Sequence, residues 1–166
     1  TKDAADQRAG RAGRLGPGTC YRLWSEGSHI HLIPNRKPEI LEADLAPLML
    51  ELSQWGIQNI NELLWLTPPP QAAVSQAKEL LNQLGALQNN KITARGKEML
   101  QMPTHPRLAH MLIEATHFQK NKPKENFISL ATDISAILEE RDPLNKESGA
   151  DLSLRIELLR KYRAGE

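Results

Sequence analysis

The stretch Leu84-Gly85-Ala86-Leu87-Gln88-Asn89-Asn90-Lys91-Ile92-Thr93 decides the fold. Ala86-Leu87 and Lys91-Ile92 flank Gln88-Asn89-Asn90, and asparagine tolerates the left-handed backbone that a tight tip demands. The spacing predicts a small β-hairpin in a chain whose other regular segments mostly read as helices. Directly after it, Thr93 can cap a short helix running through Met102, which Pro103 ends. Directly before it, a helix runs to about Leu84 with Val74, Ala77, Leu81 and Leu84 on one face and Gly85 behind it.

Working back from there, Thr67-Pro68-Pro69-Pro70 separates that helix from residues 57–66, where Ile60, Leu63, Leu64 and Leu66 suggest a short helix or packed turn. Asp44 is a good N-cap for an earlier helix with Leu45, Leu48, Met49 and Leu52 at i, i+3, i+4 and i+7. Pro47 is tolerated in its first turn and Gly56 suits its C′ position. Trp55 is expected to anchor the end of this helix against the core. The order helix, short helix, helix, hairpin, helix is the outline of a winged-helix domain, a relative of the helix-turn-helix.

Beyond Pro103 the pattern is wholly helical. Thr104-His105-Pro106 starts a helix with apolar Leu108, Met111, Leu112 and Ala115, and His105 and His110 are expected to be capping and surface residues. After the basic loop Lys120-Asn121-Lys122-Pro123-Lys124, a second helix carries Phe127, Leu130, Ala131, Ile134 and Leu138. Glu139-Glu140 reads as a solvated helix end, and a polar stretch from Lys146 to Ala150 follows. Asp151 then caps a last helix with Leu152, Ile156 and Leu159 on one face.

At the other end lies Gln7-Arg8-Ala9-Gly10-Arg11-Ala12-Gly13-Arg14. Residues 1 to about 14 read as a helix weakened by its glycines. On such a helix Gln7, Arg11 and Arg14 fall at i, i+4 and i+7 and share one face, while Arg8 points elsewhere. Small residues leave that face bare, and no carboxylate stands beside the guanidiniums. Such a row suits a phosphate, which a planar guanidinium grips with two hydrogen bonds. Gly16-Pro17-Gly18 is a turn, and residues 19–24 read as a strand in which Cys20 is expected to be packed. Residues 25–38 form a connector, and a domain boundary belongs near Asn35-Arg36-Lys37-Pro38.

Gln7 to Arg14 resembles motif VI of superfamily 2 helicases in its DEAH-box form, and Gly16-Pro17-Gly18-Thr19-Cys20-Tyr21-Arg22-Leu23 resembles the continuation in those enzymes. Pro38-Glu39-Ile40, Trp55-Gly56, Pro68-Pro69-Pro70, Leu84-Gly85-Ala86-Leu87 and Thr93 with Gly96 resemble the winged-helix segment that follows. Met102-Pro103-Thr104-His105-Pro106-Arg107-Leu108 resembles the opening of the ratchet domain. Glu139-Glu140-Arg141-Asp142-Pro143-Leu144 with Gly149-Ala150-Asp151-Leu152 resembles the bacterial HrpB branch. The resemblance implies a mainly α chain with a small β-hairpin, in three parts. Residues 1–37 would end the second RecA-like lobe, residues 38–103 would be the winged helix, and residues 104–166 would begin a helical ratchet-type bundle. The chain would then be a C-terminal piece of a larger cytoplasmic motor that couples ATP hydrolysis to movement on RNA. Arg11 and Arg14 would be arginine fingers on the γ-phosphate, and Gln7 would face the same nucleotide. ATP and Mg²⁺ would be cofactors of the whole motor, with its other RecA-like parts and RNA as partners.

The residues set bounds on that picture. The chain has no Gly-x-x-x-x-Gly-Lys-[Ser/Thr] stretch and no Asp-Glu-Ala-His, so the phosphate cradle and magnesium ligands are missing and the chain by itself is expected to be inactive. Net charge is +1, so nucleic-acid contact must come from local patches, for which Arg107, Lys120, Lys122 and Lys124 are candidates. The helix before the hairpin carries one base, Lys78, which speaks against a DNA-reading recognition helix. Aromatics make up 4% of the chain, too few for a base-stacking platform. The single cysteine excludes an internal disulfide and a zinc set, and His29-Ile30-His31 lacks further ligands nearby. No apolar run approaches membrane-spanning length. The alternative to the motor is a non-enzymatic winged-helix module binding nucleic acid or protein, with the arginine segment as an exposed arm.

Overall fold

The computed structural model describes residues 1–144 and 148–165. Contacts divide the chain into two compact units, residues 1–43 with 66–69, and residues 44–65 with the chain from 70 onward. The polar stretch expected from Lys146 lies partly outside the described residues.

In the first unit, α1 (Lys2–Ala12) is followed by α2 (Glu26–Ile30) and a 3₁₀ turn, Glu39–Leu41. The start of α1 is held by its own connector: Lys2 N–H donates to the Ile33 carbonyl at 2.9 Å and Asp3 N–H to that of Pro34 at 3.0 Å. These bonds satisfy donors that a helix start otherwise leaves orphaned. Ser25 caps α2 by accepting from Ser28 N–H at 3.1 Å. The connector at residues 25–38 therefore contains a helical turn that its sequence did not announce.

Two expectations fail here. The helix ends at Ala12, with Gly13 as its C-cap, so Arg14 lies outside it. Residues 19–24 form no strand; Tyr21 and Leu23 are 84% and 94% exposed, and Cys20 is exposed rather than packed. An alternating pattern becomes a strand only when a neighbour completes its ladder, and this segment has none among the described residues.

The second unit begins with α3 (Ala46–Gln54). Asp44 Oδ1 accepts from Ala46 N–H at 2.8 Å, and Leu45, Met49, Leu50 and Leu52 are buried. The helix closes at Gly56 (φ +86°), where Ile57 N–H reaches back to the Leu52 carbonyl at 2.9 Å. Trp55 is 72% exposed and anchors nothing, because it sits where the chain turns outward at the C-cap. Trp65 takes that role in part, with its indole N–H donating to the Ile60 carbonyl at 2.8 Å. Of the apolar residues expected to pack over 57–66, Ile60 is buried in a 3₁₀ turn (Ile60–Glu62), while Leu64 and Leu66 are fully exposed.

Next comes α4 (Gln71–Gln83), packed on α3 through Val74, Ala77, Leu80 and Leu81. It ends at Leu84 with Gly85 at φ +69°. The hairpin follows: β1 (Leu87–Gln88) pairs antiparallel with β2 (Lys91–Ile92), Leu87 opposite Ile92 and Gln88 opposite Lys91. Asn89 and Asn90, at φ +51° and +58°, are the two tip residues, as a type I′ turn requires. Thr93 then caps α5 (Ala94–Leu100), its Oγ1 accepting from Gly96 N–H at 3.0 Å while donating to the Gly85 carbonyl at 2.6 Å.

The chain continues as α6 (Pro106–Asn121), α7 (Phe127–Glu139) and α8 (Leu152–Ala164), with α6 packed on α5 and α7, and α8 on α7. The expected faces are partly displaced. On α6 the buried positions are Pro106, Ala109, Ile113 and Ala115, so of the expected Leu108, Met111, Leu112 and Ala115 the last alone is fully inside. On α7 Ala131 is buried, Leu130 and Leu138 are 37% and 52% exposed, and Asp133 and Ser135 are buried instead. Asp133 is tolerated inside because Arg163 of α8 donates to it at 2.7 Å. An apolar groove lined by Met111, Phe118, Phe127, Leu130 and Ile134 stays open between α6 and α7.

Arg155, 6% exposed, ties α8 to the loop before it. Its Nε and Nη2 donate to the Asp142 carboxylate at 3.0–3.1 and 2.5 Å, and its Nη atoms reach the Asp151 and Gly149 carbonyls at 2.8 Å each. The Arg155 hydrogen bond, with help from Leu144 N–H, holds the Asp142 carboxyl below the usual carboxylate range.

Two outcomes follow from this packing. A Cβ added at Gly96 would strike the Ala86 carbonyl and come within 2.7 Å of Ile92 Cγ1, so Gly96→Ala should lower stability by about 1–3 kcal/mol in urea unfolding. Because the folded Asp142 pKa is depressed, its stabilisation is present above the unfolded value near ~3.9 and is lost as pH falls through the lower folded value. Arg155→Met removes the largest cause of that depression, so its stability deficit relative to wild type should shrink as unfolding is followed from about pH 5 to about pH 2.

Candidate nucleotide-facing site

The arginine segment is presented by α1 and the turn after it. Gln7 and Arg11 sit one turn apart on the helix, as their i, i+4 spacing dictates. Arg14 follows Gly13, whose backbone lies at φ −98° and ψ 14°, so it is carried by the turn and does not extend the helical stripe. Gln7, Arg8, Arg11 and Arg14 are all exposed. Neither Arg8, Arg11 nor Arg14 forms an ion pair among the described residues.

The nearby carboxylates are engaged elsewhere. Asp6 Oδ1 accepts from Arg22 Nη2 at 2.6 Å, and Arg22 also lies 3.1 Å from the His29 Nε2. Asp3 accepts from the Ala4 and Arg36 amides at 2.7 and 3.3 Å. A hydrogen bond from Thr1 is the chief cause that lowers the Asp3 pKa, with burial opposing it. The consequence is a row of guanidiniums with no neutralising partner, an arrangement that fits the oxygens of a phosphate. Among the described residues no group of three or more His, Cys, Asp or Glu side chains is placed to hold a metal. Gly18 passes so close to the end of α1 that a Cβ there would collide with the Ala12 carbonyl, which fixes the Gly16-Pro17-Gly18 turn against the helix terminus.

The second set of candidates lies on the helical unit. Arg107 is exposed near the start of α6; Lys120 near its end, and Lys122 and Lys124 in the loop before α7, are exposed too. None of the four forms an ion pair among the described residues. Lys78, the lone base of α4, donates instead to the Gln58 carbonyl at 3.0 Å. His105 caps α6, its Nδ1 accepting from Arg107 N–H at 3.2 Å. His110 is not a plain surface residue: its Nδ1 is buried with no hydrogen-bond partner among the described residues, and burial, then the charge of Arg95, lowers its pKa against an opposing contribution from the Leu84 backbone. Glu139 is exposed but engaged, accepting from the Thr104 hydroxyl and from His105 N–H at 3.3 Å. Reading the sequence missed Glu139 because its partners lie 34 and 35 residues away, and Arg155 because its partners are gathered from the irregular loop before α8.

Comparison with known proteins shows that the chain is similar to part of several ATP-dependent RNA helicases. Over 134 residues, 81% of this chain and 16% of the relative, it is 41% identical to the ATP-dependent RNA helicase HrpB of Escherichia coli. It is 44% identical over 115 residues to the probable ATP-dependent RNA helicase DHR1 of Saccharomyces cerevisiae, covering 68% of this chain and 9% of that protein. It is 38% identical over 117 residues to the human probable ATP-dependent RNA helicase DHX35, covering 69% and 17%. Two crystal structures of E. coli HrpB match the fold. One has a TM-score of 0.65 and 31% identity over 100% of this chain and 21% of its own. The other has a TM-score of 0.63 and 36% identity over 94% and 18%. The chain thus spans 9–17% of the length of these curated relatives. No protein-family model matches it. The homologues favour the helicase reading over a free-standing interaction module.

Proposed function

We propose that the chain is the accessory C-terminal portion of a cytoplasmic DEAH-box RNA helicase, coupling ATP hydrolysis to movement on or unwinding of RNA. Residues 1–37 end the second RecA-like lobe, residues 38–103 are the winged helix and residues 104–166 begin the ratchet-type bundle. The observation that carries this reading is 41% identity to HrpB over a stretch that takes in most of the chain, together with the unneutralised guanidiniums of α1.

In this reading Arg11 and Arg14 act as arginine fingers, neutralising charge that develops on the γ-phosphoryl oxygens, and Gln7 faces the same nucleotide. Arg11 is delivered by the helix and Arg14 by the turn. The ATP cradle and the Mg²⁺ ligands belong to other parts of the motor, since this chain carries neither a Walker A sequence nor a metal-binding cluster among its described residues. Arg107, Lys120, Lys122 and Lys124 contact the phosphates of single-stranded RNA.

Two measurements on the complete gene product test this. Arg11→Ala should lower RNA-stimulated ATP turnover by roughly 10³–10⁵ with ATP binding retained; unchanged turnover would remove the finger assignment. Replacing Lys120, Lys122 and Lys124 by Ala should weaken RNA binding uniformly across sequences and flatten the log–log salt dependence by about 2. An unchanged slope would place the RNA elsewhere.

A further inference from the structure

His105 is bonded through both ring nitrogens. Nδ1 lies 3.2 Å from Arg107 N–H, and since an amide N–H can only donate, Nδ1 must be the bare nitrogen. The ring proton then resides on Nε2, which lies 3.1 Å from Asp44 Oδ2. The other Asp44 oxygen accepts from Ala46 N–H at 2.8 Å, at the start of α3. The backbone N–H of His105 donates at 3.3 Å to Glu139 Oε1, at the end of α7. One residue therefore ties the starts of α3 and α6 and the end of α7 within a single compact unit.

We infer that His105 is a tautomer-specific, proton-responsive strut at this three-helix junction. The ionisable groups set against it are Asp44 before α3 and Glu139 on α7. Neutral, with its proton on Nε2, the ring satisfies both partners. Protonation changes the two contacts in opposite directions. The Nε2–H to Asp44 contact becomes a charged pair and persists, whereas Nδ1 gains a hydrogen and can no longer accept from Arg107 N–H. That leaves an orphaned donor at the first turn of α6 and places a positive charge at the positive end of that helix. Acid therefore retains the tie between the α3 and α6 starts while opening the first turn of α6. The inference stands apart from any nucleotide or RNA role.

The test is solution NMR on the full chain, with ¹⁵N assignment of the His105 ring and exchange of the Arg107 amide. Above the ring's titration, the Nε2–H tautomer should be seen. As the ring charges, protection of the Arg107 amide, corrected for the intrinsic pH dependence of exchange, should fall roughly fivefold, the equivalent of one lost helix cap. His105→Asn supplies a side-chain acceptor that does not titrate, so its Arg107 protection should stay flat over the same range. A dominant Nδ1–H tautomer would overturn the assignment. So would Arg107 protection that ignores ring charging in wild type, or that falls equally in His105→Asn.

Discussion

The hydroxyl of Thr93 is the joint on which the helical unit turns. It donates to the carbonyl of Gly85, just past α4, and accepts from the amide of Gly96, inside α5. The Thr93 amide adds a bond to the Ala86 carbonyl at 3.0 Å. With three bonds, one residue closes the hairpin, starts the next helix and brings α5 so near that Gly96 has no room for a side chain. Met99 of α5 then enters the core beside Met49, Leu50 and Leu81, all nearly inaccessible to solvent. Removing the hydroxyl would orphan a helix donor and loosen the close approach of Gly96 to the Ala86 carbonyl together.

A different kind of tie holds the other end. The last helix buries few apolar side chains and is fastened by two arginines, Arg155 to Asp142 and Arg163 to Asp133. Arg155 collects a carboxylate and two carbonyls from the loop it follows, which gives physical meaning to the Arg-Asp-Pro and Gly-Ala-Asp residues noted from sequence. Those residues form a socket for one guanidinium. Charged groups inside a protein stabilise it when every partner is present and weigh heavily against it when one is removed. The socket therefore works as an all-or-none fastening.

The hairpin was legible in advance because Asn89 and Asn90 have few alternatives at a two-residue tip, and the α3 and α4 faces were legible because their apolar spacing matches 3.6 residues per turn. Local chemistry alone also located Thr93 and the His105 cap. Several of the failures share one cause: they depended on a partner remote in sequence. Residues 19–24 had a strand's alternation and no neighbouring strand to pair with. Asp133 went inside because α8 brought it an arginine, while Leu138 went outside. Apolar content on α7 exceeded what α6 and α8 cover, so spacing could place the helix but could not say which of its large side chains would be buried. The helix that carries the arginine segment was read about two residues too long, a local miss, since Gly13 stops it before Arg14.

That stop puts Arg11 and Arg14 on two different pieces of backbone. Arg11 rides on a rigid helix whose first amides are pinned to the connector, and Arg14 rides on the chain beyond Gly13. The turn that carries Arg14 is itself seated on the end of α1 through Gly18. Gly13 sits where an ordinary residue would fit, with its nearest contact to an added Cβ at an unstrained 3.8 Å. The present conformation does not demand glycine there; what glycine supplies is access to other φ and ψ values at low cost. The two cations are thus held by separate supports, one a helix and the other a turn braced on that helix, so a change in the turn would displace Arg14 and leave Arg11 in place.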